Sequence, residues 1–150
     1  MIVPDANLLI YAYDTSVPSH KAARQWWEKC LSGDEPVGLP WVVVLAFVRL
    51  TTHPVLMEQP FTIEEAQSAV DGWLARSHVQ LLHPRTSTLN RFFSLLRAAG
   101  LGGNLSTDAL IAAHAEEYGA VVHSTDRDFD RFPPVRWLNP IERKPRASVH

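Results

Sequence analysis

The chain opens with the segment IVPDAN at residues 2–7, in which a short apolar run stops at polar residues. The first three of these residues are β-prone, and the apolar pattern from Leu8 onward has the spacing of a helix. A strand followed at once by a helix is the repeating unit of α/β proteins. Asp5 is therefore predicted to lie at the carboxyl end of a first strand.

The same alternation of short strands and amphipathic helices continues along the chain. Further strands are predicted at residues 37–39, 79–82, 120–124 and 136–138, with helices at 19–31, 41–51, 63–75 and 108–118 and one that reaches residue 99. Parallel strands need long crossovers, so this order predicts helices on both faces of a parallel sheet. The predicted fold class is α/β, with three α/β/α layers and a central sheet of four to five strands.

Polar residues and glycines mark the ends of several predicted helices. The strongly apolar helix at 41–51 is expected to be buried, and GLGGN at 100–104 is expected to form a flexible turn. Gly119 should end the helix at 108–118 in the left-handed conformation. The residues expected to cap helix starts are Thr62, Thr86 or Ser87, and Ser106 with Thr107.

Composition limits the classes of protein to which the chain can belong. The 150 residues carry 14 basic and 16 acidic side chains, so there is no general basic field and any nucleic-acid contact must be local. Cys30 is the one cysteine, which excludes an internal disulfide and fits a reducing compartment. Without a basic leader or an apolar segment of bilayer length, we expect a cytoplasmic protein that does not enter the membrane. One domain is expected over residues 1–141, followed by a polar, flexible tail at 142–150.

Two aspartates follow predicted strands and a third begins a predicted helix. Asp5 and Asp126 end strands, and ligands of parallel α/β sheets gather at the carboxyl ends of the strands. Asp108 starts the helix that precedes the strand ending near Asp126. Carboxylates brought to one edge repel each other unless a cation lies between them, and oxygen ligands suit Mg²⁺ or Mn²⁺. Such a site can hydrolyse phosphodiesters.

Each aspartate also has a purely structural explanation. Asp5 can cap the helix that follows it, and Asp108 can complement a helix dipole. Asp128 and Asp130 can simply be solvated. Strand-end aspartates serve phosphoaspartyl phosphatases and receiver domains as well, so the ligand set alone leaves several enzyme classes open.

Three blocks of sequence in a fixed order resemble the PIN-domain family. They are IVPDAN at 2–7, TDALIAAH at 107–114 and STDRDF at 124–129, and the resemblance extends from Met1 to about Pro140. It is strongest to the VapC ribonuclease toxins of type II toxin–antitoxin systems. The segment FVRLTTHP at 47–54 is similar to a mycobacterial-type branch of those toxins.

This resemblance implies a PIN-like fold and a metal-dependent endoribonuclease that uses Mg²⁺ or Mn²⁺. The implied substrate is structured RNA such as tRNA or rRNA, whose cleavage slows translation, and the implied partners are a cognate antitoxin and a second copy of the chain. Asp5, Asp108 and Asp126 match the family's acidic metal ligands. Asn7 matches the polar residue after the first aspartate, and Asp128 is implied as an additional, weaker ligand.

One position departs from the family pattern. PIN domains usually carry a glutamate on the helix after the second strand, whereas this chain has Ala46 before Phe47. The departure leaves open a catalytically weak or inactive binding module. A phosphoaspartyl-type phosphatase with Asp5 as its nucleophile is a further alternative, although Asn7 stands where such enzymes generally place a second carboxylate.

The remaining candidates have weaker signals. Arg49 lies on an otherwise apolar helix, where it could bind RNA, an antitoxin carboxylate or a structural aspartate partner. Ser124 and Thr125 could bond a ligand water or phosphate, or cap the turn at Asp126. Basic side chains could contact phosphate locally, and the tryptophans could stack on bases, but solvation and core packing respectively are the default expectations. These residues are Arg91, Arg97, Arg143, Lys144, Arg146, Trp26, Trp27, Trp41, Trp73 and Trp137.

Overall fold

Five short parallel strands form the centre of the structure, a computed structural model that describes residues 1–142. The strands are β1 (Ile2–Pro4), β2 (Val37–Pro40), β3 (Val79–Leu82), β4 (Val121–His123) and β5 (Arg136–Leu138). Their order in the sheet is β3-β2-β1-β4-β5, and every neighbouring pair is parallel. The predicted α/β class and its parallel sheet are confirmed.

Six α-helices connect and cover these strands in the part of the chain that the structure describes. They are α1 (Ala6–Tyr13), α2 (His20–Ser32), α3 (Trp41–Thr51), α4 (Ile63–Leu74), α5 (Thr86–Ala99) and α6 (Leu105–Tyr118), and a 3-10 helix spans Arg127–Arg131. No helix within residues 1–142 has the length and apolar character needed to cross a membrane.

The central position of β1 places the first residues of the chain beside residues 121–123 of β4. Pro4 pairs with His123, and the backbone N–H of Asp5 donates to the carbonyl of His123 at 2.8 Å. The carboxyl ends of β1 and β4 therefore lie side by side. Asp5 and the segment 124–126 consequently meet at one edge of the sheet, as the sequence predicts.

An aromatic cluster fills much of the core. Trp73 and Phe47 pack edge to face with ring centroids 4.7 Å apart, and Trp27 packs on Trp73 in the same way at 5.4 Å. The Trp73 indole donates to the Tyr13 hydroxyl at 2.8 Å, which satisfies its polar atom inside the core. Core packing is thus confirmed for these tryptophans, whereas Trp41 is 53% exposed.

Two helix starts differ from the prediction. Helix α6 begins at Leu105, so Ser106 and Thr107 lie inside it and do not cap it. Gly103, at φ +61°, turns the chain so that the amide of Ser106 already bonds the Gly103 carbonyl at 3.0 Å, and the helical turn starts early. Asp108 therefore lies in the first turn of α6 and not at its start.

Helix α5 likewise begins one residue earlier than a cap at Thr86 or Ser87 would allow. Arg85 precedes the helix, and its backbone N–H donates to the Thr88 hydroxyl at 3.0 Å. By contrast, Thr62 and Glu65 form the predicted reciprocal cap of α4, with both bonds at 3.1 Å. Gly119 ends α6 at φ +59°, as predicted. The basic tail residues Arg143, Lys144 and Arg146 lie outside the described residues.

Candidate metal centre

Three aspartates converge at the carboxyl edge of the sheet. Asp108, Asp126 and Asp128 each present a carboxylate oxygen, and these oxygens lie within 4.8 Å of one another. Asp126 follows β4 and caps the 3-10 helix by accepting the N–H of Asp128 at 2.8 Å. This cap turns Asp128 back towards the cluster, so the residue expected to be the weaker ligand is a full member of it.

Asp5 lies beside this cluster and is held by two donors. One carboxylate oxygen accepts the Ala6 N–H at 2.7 Å and caps α1, and the other accepts the Ser124 hydroxyl at 2.6 Å. The carboxyl is only 7% exposed. The capping role considered from sequence is therefore real, and it coexists with proximity to the other carboxylates.

The electrostatics of the centre are those of crowded acids. The pKa of Asp108 is raised to about 7, mainly by burial and in addition by the charges of Asp5, Asp126 and Asp128 and a hydrogen bond with Asp126. Burial also raises the pKa of Asp5; hydrogen bonds from Ser124 and Ala6 oppose this effect, and the Asp126 charge adds to it. In the folded chain these carboxylates lie close together, and without a cation they repel each other. A divalent cation would relieve that repulsion, and the all-oxygen donor set fits a hard ion.

Ser124 links the two halves of the centre. It is fully buried, donates its hydroxyl proton to Asp5 and accepts the N–H of Asp126 at 2.9 Å. Of the two roles considered from sequence, capping the turn at Asp126 is the one observed. Its bond to Asp5 was not foreseen, and the only signal for it would have been the pairing of β1 with β4, which residue spacing does not reveal.

Asn7 and Thr125 form a second link across the same strands. The Asn7 amide donates to the Thr125 hydroxyl at 2.9 Å, so both predicted supporting residues lie together. The side-chain oxygen of Asn7 is buried and has no hydrogen-bond partner within residues 1–142. That oxygen is available to a donor from a bound water or ligand.

Arg49 and Ala46, both on α3, do not join the acidic cluster. Arg49 is exposed, and no carboxylate of residues 1–142 lies within ion-pair distance of it, so the structural aspartate alternative is not supported, while RNA and an antitoxin carboxylate stay predictions. The reason is that α3 buries only one face: Leu45, one turn before Arg49, is 62% exposed. Ala46 is half-buried against the core and contributes no carboxylate.

Comparisons with known proteins agree with this architecture. The sequence model of the PIN-domain family matches residues 2–133 of this chain. Ribonuclease VapC33 of Mycobacterium tuberculosis is 36% identical over 94% of this chain and 99% of its own length. Ribonuclease VapC37 of the same species is 41% identical over 93% of this chain and 97% of its own length.

Solved structures show the same fold at lower identity. FitAB bound to an IR36 DNA fragment has a TM-score of 0.69 and 17% identity, covering 98% of this chain and 100% of the other. VapBC2 from Rickettsia felis, bound to a promoter DNA fragment, has a TM-score of 0.62 and 22% identity, covering 93% and 98%. The sarcin–ricin loop cleaving toxin VapC20 of Mycobacterium tuberculosis has a TM-score of 0.63 and 18% identity, covering 91% and 99%.

Proposed function

This chain belongs to the PIN-domain family, in its VapC ribonuclease branch, and on that basis we propose that it is a toxin that hydrolyses phosphodiester bonds of RNA. The observation that carries the proposal is the convergence of Asp108, Asp126 and Asp128 beside Asp5. Asp5 and Asp126 also cap helices, but capping does not account for four mutually repelling acidic side chains at one sheet edge. A cation-dependent reaction on an anionic substrate accounts for them.

In the proposed mechanism, Asp108, Asp126 and Asp128 hold the metal, and Asp5 is a further ligand. A bound Mg²⁺ or Mn²⁺ ion supplies charge neutralisation at the phosphate and activation of the attacking water. Ser124 fixes the Asp5 carboxyl through its 2.6 Å bond and at the same time anchors the Asp126 backbone. These bonds keep the ligands in place before the ion arrives, which lowers the cost of assembling the site.

The substrate and partners of this activity are also proposed. Structured RNA, such as tRNA or rRNA, is the proposed substrate, and its cleavage would slow translation. Support comes from VapC20, a relative of the same fold whose structure is described as that of a sarcin–ricin loop cleaving toxin. A cognate antitoxin is proposed because several structures of this fold are VapBC or FitAB pairs. A homodimer is proposed because Trp41 and Leu45 expose an apolar stripe on α3.

The direct test is RNA cleavage by the purified protein with Mg²⁺ or Mn²⁺. We expect cleavage by the wild type and a loss of about 100-fold or more for Asp108→Asn or Asp126→Asn, because both variants remove a charged ligand. Asp71→Asn, an exposed change on α4, is the matched control and should cleave normally. Equal cleavage by all four proteins would refute the proposal.

A non-catalytic binding module is the second candidate, and Ala46 is the observation that favours it. The discriminating variant is Ala46→Glu, measured for Mn²⁺ affinity and RNA cleavage beside the wild type. If the wild type neither binds Mn²⁺ nor cleaves RNA while the variant does both, the chain is a binding module. A phosphatase that uses Asp5 as nucleophile is disfavoured, because both Asp5 oxygens already accept hydrogen bonds. Phosphate transfer from acetyl phosphate to Asp5 would restore that alternative.

A further inference from the structure

A depression of about 410 Å³ lies at the carboxyl ends of β4 and β5, and its lining includes both chain neighbours of Asp126, Thr125 and Arg127. Thr125, the neighbour of Asp126 in the chain, lines the end nearest the aspartates. Trp137, Asn139 and Arg127 line the remainder together with acidic side chains. The depression therefore combines an aromatic ring, an amide and a guanidinium next to the segment of chain that carries Asp126.

The Trp137 ring is held in one orientation. Its indole N–H donates to the Asp130 carboxylate at 2.9 Å, and the fully buried Phe129 ring supports it from the core at a centroid distance of 6.3 Å. Trp137 itself stays partly exposed. An aromatic ring that is already fixed loses little conformational freedom when a second ring stacks on it.

Asn139 and Thr125, which line the depression with Trp137, have hydrogen-bond donors that no residue within 1–142 uses. Asn139 accepts the Ile141 N–H with its side-chain oxygen at 3.1 Å, and its amide N–H groups have no acceptor within residues 1–142. The Thr125 oxygen accepts from Asn7, so the hydroxyl proton of Thr125 is also free to donate to a ligand. These groups face a ligand as hydrogen-bond donors, which suits carbonyl and ring-nitrogen acceptors of a base.

Arg127 supplies the positive charge. Its side chain is 83% exposed, and its one ion pair in the described part of the chain is a 4.0 Å approach to Glu142. Such an exposed pair is worth little, so a phosphate oxygen can replace Glu142 at the guanidinium. The other acid of the depression, Asp130, already accepts a hydrogen bond from the Trp137 indole.

We propose that this depression is a nucleotide-binding subsite, in which a base of single-stranded RNA stacks on Trp137 while Arg127 contacts an adjoining phosphate. The Asn139 amide donates to an acceptor on the stacked base. This assignment rests on the proposed ribonuclease function, because the neighbouring aspartates would hold the metal that acts on the next phosphate along the strand. Base stacking and the hydrogen bonds to the base would carry most of the binding, because Arg127 is accompanied by the acids Asp130 and Glu142 in the lining.

The test compares paired variants of Trp137 in the full chain. Trp137→Leu removes the ring and should raise KM for RNA about tenfold, with Mn²⁺ affinity unchanged, because stacking on an aromatic side chain contributes about 1–3 kcal/mol per base. Trp137→Phe keeps a stacking face and should restore KM to within about threefold of the wild type, which a merely structural role of the indole would not allow. Arg127→Gln should also raise KM, and Phe93→Leu, at an exposed aromatic residue on α5, should not.

A binding measurement separates this subsite from the nuclease proposal. In the wild type, the indole N–H resonance of Trp137 should shift saturably with AMP and UMP, but not with ribose 5-phosphate, which lacks a base. If RNA is cleaved but Trp137→Leu leaves KM unchanged, the subsite is refuted and the nuclease stands. If no RNA is cleaved while AMP shifts the resonance, the subsite stands and the nuclease fails. An unmoved resonance with both nucleotides refutes the subsite.

Discussion

Ser124 illustrates how one buried hydroxyl can determine the geometry of a charged site. It donates to Asp5 in a buried bond and accepts from the Asp126 amide in a partly buried one. Its removal would leave a carboxylate and an amide short of a partner in a buried setting. Such groups cost more when unsatisfied than the hydrogen bond gains when formed.

We therefore expect Ser124→Ala to lower the free energy of unfolding by about 1–3 kcal/mol and to weaken Mn²⁺ binding about tenfold or more. Thermal unfolding and calorimetric titration with Mn²⁺ measure the two effects. Ser106→Ala, at a half-buried serine whose hydroxyl makes no hydrogen bond within residues 1–142, serves as the control. Normal Mn²⁺ affinity in Ser124→Ala would contradict the positioning role.

Asp108 makes the stability of the metal-free protein depend on pH. Its pKa of about 7 in the folded chain lies above the ordinary 3.8, so the folded state holds the proton more tightly than the unfolded state. The stability that this proton provides is complete below about pH 4 and is lost as the pH rises through 7. At about pH 8 without metal, Asp108→Asn should be more stable than the wild type by roughly 1–3 kcal/mol.

Circular dichroism melts in EDTA across this pH range measure the difference between the two proteins. The difference should shrink towards zero near pH 4, and added Mn²⁺ should stabilise the wild type but not Asp108→Asn. A variant that melts below the wild type at about pH 8 would contradict the assigned pKa.

At this scale, the sequence predicts the acidic residues but not their hydrogen bonds. Asp5 and Asp126 could be named because aspartates after apolar strands are recognisable, and the structure places them at one edge. The bonds from Ser124 and Asn7 depend on which strands pair, which is long-range information. The strongly apolar sequence of α3 predicts a buried helix, whereas α3 exposes Leu45 and Arg49 on one face, so a structural partner for Arg49 is not found within residues 1–142.

At the scale of elements, α5 and α6 are joined by a polar clamp. Glu117 of α6 has a side chain only 5% exposed and accepts from Ser87 at 2.6 Å, from Arg85 at 3.1 Å and from Thr88 through a short bond. Burial raises the pKa of Glu117, but the hydrogen bonds and the Arg85 charge outweigh burial and lower it overall. The clamp fixes the helix that carries Asp108.

Glu117→Ala should therefore destabilise the protein by about 2–3 kcal/mol near neutral pH, because three donors lose their acceptor. A depressed carboxyl pKa gives stability that is present above the ordinary value of 4.5 and is lost as the pH falls through the folded value. The difference between wild type and variant should thus shrink on acidification below pH 4.5 in urea denaturation. Glu58→Ala, at an exposed loop position, is the control, and a pH-independent difference for Glu117→Ala would contradict this account.

The elements themselves were largely predictable, and their starts were not. Periodicity identified the strands and helices, because buried strands and amphipathic helices differ in spacing. The start of α6 lies before Ser106 and Thr107 because Gly103, at φ +61°, already turns the backbone, and α5 begins at Thr86 with the Thr88 hydroxyl accepting the Arg85 N–H. Caps are a local preference, and tertiary packing overrides them.

At the scale of the whole molecule, exposed apolar side chains fit the proposed homodimer. Leu45 is 62% exposed and Trp41 is 53% exposed, one turn apart on α3. Leu45→Glu should convert the dimer into a monomer, because a charge buried in an apolar contact has no partner. Light scattering during size-exclusion chromatography measures the mass.

Val55→Glu, at an 82% exposed loop residue, should leave the proposed dimer intact. A wild type that is already monomeric at micromolar concentration would contradict the homodimer. A Leu45→Glu variant that remains dimeric would instead place the interface elsewhere on the molecule.

The hydrogen bond between Ser124 and Asp5 joins residues 119 positions apart, and β1 lacks one of its two neighbours until β4 exists. During synthesis, the first strand therefore waits for nearly the entire chain to leave the ribosome before the centre can assemble. A nascent or prematurely terminated chain would therefore lack the assembled metal centre. The proposed ribonuclease activity would begin only when the fold is complete.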